Sequence, residues 1–546
     1  MPWNQVYAPV GGSLVASALV AAIPIILYLV LLAVVRMKGH TAGIITLLVA
    51  IAIAVAAYGM PLGTAVSASL FGGFTGLWPI AWIVVTAVFL YKITVKTGHF
   101  DLVKDSIAGL TNDRRLQMLL VAFSFGAFLE GVAGFGAPVA IAAAVLVGLG
   151  FDPLYAAGLC LIADTAPVAF GAIGVPITAV AGVLHMNANT IGAMVGRQLP
   201  FVSFLLPFYL VFVMAGWKRM VEVLPALFVS GGSFALTQFL VSNYMGPQLP
   251  DVLSALISLV CLTLLLKVWQ PKTEFHFADE SPEVREKHKK HSSNEGVFVA
   301  WLPYLVLTVT IVLWTLAPVK KILSKATIAI HWPGLDKMVY KVAPVVAKPA
   351  AIAAGYNWDI LAATGTAILL AAFISMFIIK MSFGTWLKTF GETLHELRFA
   401  LLTIAIVVAF GQLANFSGMS ASMGLAFAKL GHFFPFVAPI LGWIGVFLTG
   451  SDTSSNLLFG GLQQVTAQQI GINPVLTVAA NSSGGVMGKM ISPQSIAVGT
   501  SATGLVGQEG ALYRFTIKHS VFFLLIVCVI VFLQAYVVPW MIPAVK

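Results

Sequence analysis

A carboxylate within glycine-rich apolar sequence is the first feature that could do chemistry. Glu130 lies in residues 128–139, which hold three glycines within six residues and a proline. Such sequence lets a helix unwind, and unwound backbone at membrane depth is tolerated only where it is buried in protein or lines a cavity. Amides beside Gly134 and Gly136 would suit an anion at the next half-helix; close packing through the glycines is the alternative. Since intramembrane carboxylates are usually functional, we expect Glu130 to bind protons.

A second acid lies in residues 450–456, where Asp452 follows an apolar run and is surrounded by small polar residues. Aspartate is favoured as a helix N-cap, and a cap beside a pore can also take up protons. We therefore expect Asp452 to be a second proton-coupling residue. The hydroxyl groups that we expect to contact a hydroxylated substrate are those of Ser451, Thr453, Ser454 and Ser492.

A lysine in apolar surroundings marks the third polar stretch, residues 480–495. Lys489 needs a partner there, which could be an acid, a carbonyl or an anionic substrate. A side chain that reaches the membrane interface is the alternative interpretation. Asn481 and Gln494 are the further polar side chains of this stretch that we expect to bind substrate.

Two basic residues outside these stretches are further candidates. Arg197 could hold a carboxylate through two parallel hydrogen bonds, or it could anchor the following helix at the interface. His40 could relay protons, or mark an interface beside Lys38.

The three cysteines are isolated in apolar runs, and the sequence contains no metal-ligand spacing or nucleotide-binding motif. We therefore expect no metal, no cofactor and no enzymatic activity.

The composition indicates which solvent surrounds these groups. The chain has 546 residues, of which 59% are hydrophobic and only 9% charged, whereas soluble domains carry about a quarter charged residues. A bilayer tolerates such a surface and water does not. The net charge of +10 lies in short loops between apolar runs, which is typical of membrane orientation rather than of nucleic-acid binding.

Apolar runs of roughly 20 residues predict an all-α protein with about 12 to 14 transmembrane helices. Residues 116–184 and 452–506 are apolar but rich in breakers, so we expect broken or re-entrant helices there. Basic short loops predict that both termini lie outside, although the basic residues 320–348 would then be outside as well. The predicted divisions are 1–40, an N-terminal helix; 41–216, the first repeat; 217–356, connecting helices with a cytoplasmic linker at 270–296 and an extracellular loop at 319–356; and 357–546, the second repeat.

An internal duplication underlies those two repeats. FLEG at 128–131 recurs as FLTG at 447–450, and GFDP at 150–153 recurs as GINP at 471–474. Asp164 corresponds to Asn481 at nearly the same spacing. Because loops that correspond in the two halves are predicted on opposite sides, the repeats should be inverted. Inverted repeats with broken helices near the midplane are an architecture of secondary transporters.

At these motifs the chain resembles the bacterial L-lactate permease family. The stretches that carry the resemblance are GLWPIAW (76–82), FGAFLEGVAGFGAP (125–138), LYAAGLCL (154–161), VGRQLP (195–200), LTGSDTSSN (448–456) and GKMISPQS (488–495). They extend over nearly the whole chain in family order. An Asn is expected in the family at the position of Asp164, so the resemblance implies no essential acidic role for Asp164.

The resemblance implies import of L-lactate, and of D-lactate and glycolate, by proton symport across the bacterial plasma membrane. The partners are then a small 2-hydroxy monocarboxylate, a proton and the lipid bilayer, without nucleic acid. The residues alone reach only a small anion handled by an inverted repeat. A Na⁺-coupled carboxylate carrier and a passive small-anion channel therefore stay open as alternatives.

Overall fold

The computed structural model describes residues 2–134, 137–277 and 294–544 and is mainly helical. Within these ranges, eleven helical segments are long and apolar enough to cross a membrane. A twelfth results if Pro153–Ala163 and Val168–Leu184, which are bent by 61° at a short break, count as one span. Twelve is the lower limit of the predicted number. The predicted domain boundaries stay a prediction, and most of the linker at 270–296 lies outside the described residues.

The chain forms 24 helices in the described ranges, numbered here in chain order. The helices before the second repeat are α1 (Leu14–Ala33), α2 (Gly39–Ala56), α3 (Leu62–Thr75), α4 (Trp82–Lys96), α5 (His99–Ala108), α6 (Arg114–Met118), α7 (Gly126–Val132), α8 (Ala137–Gly148), α9 (Pro153–Ala163), α10 (Gly171–Leu184), α11 (Ala188–Val195), α12 (Leu199–Val221), α13 (Leu224–Tyr244), α14 (Pro250–Val268), α15 (Asn294–Thr315) and α16 (Ala317–Leu323).

The remaining helices are α17 (Thr364–Ile378), α18 (Phe383–Ser417), α19 (Met419–Phe427), α20 (Phe434–Thr449), α21 (Asp452–Gln469), α22 (Pro474–Lys489), α23 (Pro493–Thr503) and α24 (Glu509–Tyr536). Two π-helical segments, Gly76–Ala81 and Leu119–Phe125, join α3 to α4 and α6 to α7. The 3₁₀ turns are Val168–Phe170, Ser324–Ala326, Ala428–Phe433 and Pro539–Met541.

Five short strands lie on one side of the helices. The strands are β1 (Trp3–Asn4), β2 (Ile328–His331), β3 (Val339–Lys341), β4 (Ala350–Ala351) and β5 (Gly355–Trp358). β1 pairs in parallel with β3, which pairs antiparallel with β4, and β2 pairs antiparallel with β5. The N-terminus and residues 328–358 therefore share one side, here called the far side. α1 runs from the far side to the opposite side, where residues 36–40 lie. This opposite side is called the mouth side.

Residues 114–148 form a first hairpin that enters from the mouth side. At its start, Arg115 donates hydrogen bonds to the carbonyl of Arg219 (2.8 Å) and to Glu222 (2.7 Å), at the mouth-side end of α12. At its end, the ring of Phe151 contacts that of Phe277 at 5.0 Å. Both ends of the hairpin thus lie on the same side, and its turn at residues 133–136 lies inside the protein.

Residues 434–469 form a second hairpin that enters from the far side. The hydroxyl of Tyr536 donates to the carbonyl of His432 at 2.9 Å, just before α20. Gln469, at the end of α21, donates to the carbonyl of Pro344 at 3.2 Å. The turn of this hairpin is at Gly450, whose φ of +69° is left-handed and suits a residue without a side chain.

The opposite entry of the two hairpins is the arrangement that the predicted inverted duplication requires. The helices that follow them begin alike: Asp152 and Asn473 each cap a helix whose first residue is proline. In addition, α10 packs against α21 while α23 packs against α8. These two contacts are equivalent under the duplication, because α8 corresponds to α21 and α10 to α23.

The helices around the hairpins provide the lipid-facing surface and a packed frame. Leu19, Val268 and Phe377 are among many apolar side chains exposed on span surfaces, as expected where the solvent is hydrocarbon. Within the frame, α3 lies so close to α18 that a side chain on Gly72 would collide with the backbone of Ala409. Half-exposed ion pairs such as Lys96 to Glu392 at 2.7 Å join α4 to the same helix.

Candidate functional site

A buried lysine pairs with two acids that are distant from it in the sequence. The Nζ of Lys489 donates to Oε1 of Glu130 at 2.9 Å and lies 3.4 Å from Oδ2 of Asp164. Lys489 ends α22 of the predicted second repeat, whereas Glu130 belongs to α7 and Asp164 follows α9 of the predicted first repeat. All three side chains are buried. One cation therefore compensates two buried carboxylates.

Asp452 lies beside this ion pair in surroundings of neutral polar groups. Its Oδ2 accepts hydrogen bonds from Ser482 Oγ at 2.5 Å and from Asn456 Nδ2 at 3.1 Å, and its Oδ1 is buried without a hydrogen-bond partner. The N-cap of α21 is Ser451, whose hydroxyl accepts from the amide of Ser454. The capping role considered for Asp452 is therefore wrong, and its side chain points into the protein instead.

The residues of α22 that contact Asp452 and Glu130 lie on one face of this helix. Ser482, Gly485 and Lys489 are spaced by three and four residues, so they share a face of the helix. Ser482 bonds Asp452, a side chain at Gly485 would collide with Asp452, and Lys489 bonds Glu130. A movement of α22 would therefore disturb both carboxylates together.

The backbone breaks of both repeats meet at these side chains. Gly134 ends the first hairpin arm with a φ of +58°. The break between α9 and α10 continues to Gly174, and Ala172 and Ile173 are also in the left-handed region. Glu130 approaches this second break so closely that a Cβ on Gly171 would lie 2.8 Å from its Oε1. The carboxylate of Glu130 is thus enclosed by unwound backbone.

A cavity of about 1060 Å³ extends from this cluster to the mouth side. Glu130, Asp452 and Lys489 line its inner part, and Arg36 and Lys38, both exposed, line its outer part. The cavity therefore connects the buried charges with the aqueous phase on the mouth side.

Helix beginnings supply the polar lining between those two ends. The first residues of α10, α21 and α23 line the cavity, among them Pro176, Thr453 and Gln494. The N-terminus of a helix carries a partial positive charge and free amides, so it favours anions. Together with Lys489, these helix ends form surroundings that can hold a small carboxylate near acids that can hold protons.

Comparison with known proteins identifies the family. The family model described as L-lactate permease matches residues 17–538. The chain belongs to the L-lactate permease family. It is 53% identical to L-lactate permease of Bacillus subtilis (strain 168), with all of both chains covered. It is 53% identical to glycolate permease GlcA of Escherichia coli (strain K12), with 98% of each chain covered.

Two further similarities extend this comparison. L-lactate permease of Escherichia coli (strain K12) is 51% identical, over 99% of this chain and 100% of the relative. The Alcanivorax borkumensis YdaH transporter, a crystal structure described as having an unusual topology, is 13% identical with a TM-score of 0.44, over 85% of this chain and 87% of that one. The family model and the relatives named L-lactate permease confirm the recognition of the family from sequence motifs.

In this member of the L-lactate permease family, most of the predicted site residues line the cavity. The residues placed there are His40, Glu130, Gly134, Ser451, Asp452, Thr453, Ser454, Lys489 and Gln494. His40 lies near the mouth and stacks on Phe399, with ring centroids 4.5 Å apart. Gly136 lies outside the described residues. The roles proposed for these residues stay predictions.

Three predicted substrate ligands occupy other places in this family member. Arg197 lies on the far side, where its guanidinium donates to Asn243 and to the carbonyl of Met541, both at 2.7 Å. These partners hold the guanidinium as the anchor that was the alternative interpretation, and a role of Arg197 as a substrate ligand stays a prediction.

Asn481 and Ser492 are likewise occupied by the protein itself. Asn481 accepts from Gln463 at 3.1 Å and donates to Asn456 at 2.9 Å, so it supports a ligand of Asp452 rather than a substrate. Ser492 caps α23 by accepting from the amide of Ser495. Among the described residues, neither lines the cavity, and substrate contact by either residue stays a prediction.

Three residues of this family member that sequence analysis passed over belong to the cluster or its border. Asp164, for which the resemblance implied no essential acidic role, lies in the ion-pair cluster; its isolated charge in apolar sequence was the available signal. Ser482 is one of several serines in its stretch, and nothing local distinguishes it. Asp251 is 1% exposed and its carboxylate has no hydrogen-bond partner in the described structure. Asp251 follows a proline at the start of a helix, where an aspartate is common, so the sequence does not mark it as unusual.

Proposed function

We propose that this protein imports L-lactate, and with it D-lactate and glycolate, by proton symport across the bacterial plasma membrane. Family membership and the relatives named L-lactate permease and glycolate permease support the substrate class. The observation that carries the coupling is the position of Lys489 between Glu130 and Asp164 at the inner end of the cavity. A cation for a carboxylate and acids for a proton are then within one cluster.

The charge balance of this cluster favours a proton as the coupled ion. Four buried acids, Glu130, Asp164, Asp251 and Asp452, accompany the single buried cation Lys489 in this part of the described structure. An additional anion would increase an excess of buried negative charge, which is costly in a low-dielectric interior. A proton bound with each lactate leaves the net charge unchanged. It also removes the opposition of the membrane potential, about 2.3 kcal/mol per charge per 100 mV.

The binding mode follows from the lining of the cavity. The carboxylate of lactate is held by Lys489 and by the amides at the beginnings of α21 and α23. The 2-hydroxyl group is bonded by Ser451, Thr453 or Ser454, and Gln494 lies beside them. Glu130 or Asp452 takes the coupled proton. When the substrate carboxylate competes for Lys489, Glu130 loses part of its compensation, and binding of lactate and of the proton therefore favour each other.

The direction of the open cavity supports an inward-facing state. The loops on the mouth side include the basic residues Arg36, Lys38, Arg115 and Arg219, and basic short loops are typical of the cytoplasmic side. The structure then corresponds to the state that releases lactate into the cell, and both termini lie outside. The outward-facing state requires the hairpins to move relative to the frame of α3 and α18.

Proteoliposomes with an imposed inward proton gradient test this proposal. We expect saturable accumulation of labelled L-lactate that collapses with a protonophore and is the same with and without Na⁺. We expect D-lactate and glycolate to compete with labelled L-lactate for uptake, at concentrations similar to those of L-lactate. Accumulation that needs Na⁺ would replace proton coupling by Na⁺ coupling, and flux that neither saturates nor runs uphill would indicate a passive channel. No uptake of lactate in any gradient would refute the substrate.

A further inference from the structure

Asp251 is a buried acid that the binding site described above does not use. It lies in the first turn of α14, at the far-side end of that helix, and is 1% exposed. Both of its carboxylate oxygens lack a hydrogen-bond partner, and so does the hydroxyl of Ser254 one turn further along. An isolated buried carboxylate costs several kcal/mol when it is ionised. Because this carboxylate does not stabilise the fold, its presence calls for a functional explanation.

Asp251 lies directly behind the segment that carries Glu130. A Cβ on Gly131 would lie 2.9 Å from the Cβ of Asp251, so the two backbones are in close contact. Glu130 lines the cavity and has one buried oxygen, Oε2, without a hydrogen-bond partner. Asp251 is not among the described residues that line the cavity. The two acids therefore approach α7 from different sides, Glu130 from the cavity and Asp251 from α14.

Asp251 lies in the first turn of a helix that begins near the far side. α13 runs from the mouth side to Asn243, which binds the far-side anchor Arg197, and residues 245–249 then lead into α14. The carbonyl of Pro247 in this loop contacts Gly174 in the second helix break. The charged groups that act on Asp251 are Glu130, Asp164 and Lys489, whereas α10 and α13, which also pack against α14, contribute no charged residue.

We propose that Asp251 is the proton relay between the far-side aqueous phase and Glu130. A proton from water on the far side binds the carboxylate of Asp251. The O–H bond of that carboxylic acid then breaks, and the proton passes to Glu130 directly or through a water molecule. Asp251 is left as a carboxylate and takes the next proton from the far side. The inference rests on the proposed proton symport and adds the route by which the proton reaches the cluster.

With this relay, lactate and the proton take different routes to the cluster. Lactate uses the cavity, which is wide and polar, whereas a proton needs only a chain of exchangeable groups. Without Asp251, Glu130 can exchange protons only through the substrate cavity. The proton is then taken up only while the cavity faces the far side, so gradient-driven accumulation slows, while exchange of lactate for lactate, which needs no net proton movement, continues.

Asp251→Asn keeps the shape of the side chain and removes its proton, so it is the decisive variant. In right-side-out membrane vesicles, we expect proton-driven accumulation of L-lactate and the lactate-induced alkalinisation of the external medium to fall at least tenfold. Exchange of internal for external lactate should stay within about twofold of wild type. Ser254→Ala, which removes the neighbouring unpartnered hydroxyl, is the matched control and should leave all three measurements within twofold.

Each other outcome decides against the relay. Retained accumulation in Asp251→Asn would overturn it, and so would equal loss of accumulation and exchange in a protein that elutes and unfolds like wild type. If Asp251→Asn does not fold, Asp251→Glu provides the second measurement. The external pH at half-maximal uptake should then shift relative to wild type, and an unchanged value overturns the relay. Failure of wild type itself to concentrate lactate would refute the symport and the relay together, so the two failures are distinguishable.

Discussion

The turns of the two hairpins occupy corresponding places in the duplication but differ in chemistry. In the first hairpin, Glu130 is ion-paired to Lys489 at 2.9 Å. In the second, Asp452 accepts only from neutral donors, Ser482 and Asn456. A carboxylate that shares a cation responds strongly when an anionic substrate arrives, because both compete for the same charge. A carboxylate among neutral donors changes less, so we expect proton coupling at the first hairpin and substrate positioning at the second.

The largest effect should come from removing the charge that joins α22 to the first hairpin. Lys489→Gln leaves Glu130 and Asp164 without their cation, and breaking a buried ion pair costs about 3–5 kcal/mol. We expect L-lactate transport, both driven uptake and exchange, to fall by more than about 100-fold, in line with that free energy. Uptake and exchange assays in proteoliposomes measure it, with elution profile and unfolding temperature as controls. A variant that keeps a tenth of wild-type exchange would contradict a substrate role for Lys489.

The next effect separates the two acids. Glu130→Gln keeps a hydrogen-bond acceptor for Lys489 but cannot exchange a proton, so it should abolish proton-driven uptake much more than exchange. A hydrogen bond to a charged group contributes about 1.5–3 kcal/mol. We therefore expect proton-driven uptake to fall roughly 10- to 150-fold. Asp452→Asn, the equivalent change in the second hairpin, should reduce uptake and exchange to a similar degree. If Glu130→Gln also lost both activities equally, the assignment of coupling to the first hairpin would fail.

A smaller effect tests the neutral surroundings of Asp452. Ser482→Ala removes the donor at 2.5 Å, and we expect the rate of lactate uptake to fall about tenfold, the lower end for a hydrogen bond to a charged group. Ser483→Ala is the matched control, because the neighbouring hydroxyl donates to Gln198 instead; it should stay within twofold. Equal losses in the two variants would indicate a general packing effect on α22.

The smallest effect on transport should come from the far-side arginine. Arg197→Gln removes the contacts to Asn243 and Met541, so we expect a lower unfolding temperature with KM for L-lactate unchanged within twofold. Because Arg197 belongs to neither hairpin, its variant provides the baseline for the three tests above. A tenfold rise in KM, with folding intact, would restore Arg197 as a substrate ligand in another state of the transport cycle.

Much of this architecture is readable from sequence because its causes are local. Long apolar runs specify helices in a bilayer, and glycine, proline and serine within them specify where the helices break. The glycine-rich residues 128–139 predict the break that follows Val132, and Glu130, Asp452 and Lys489 are recognisable as isolated charges. The motifs in residues 76–82, 125–138 and 488–495 also sufficed to recognise the family.

Only the tertiary structure decided which of these groups meet. Lys489 and Glu130 are 359 positions apart, and their contact depends on how α22 packs against the first hairpin, which no sequence window contains. The same packing decided that Arg197 anchors the far side, that Asp164 joins the ion pair, and that Asp251 lies unpartnered behind Glu130. Charge in apolar sequence identifies a costly group, but its partner is chosen by three-dimensional proximity, since electrostatic compensation in a low-dielectric interior acts over a few ångströms of space and not along the chain.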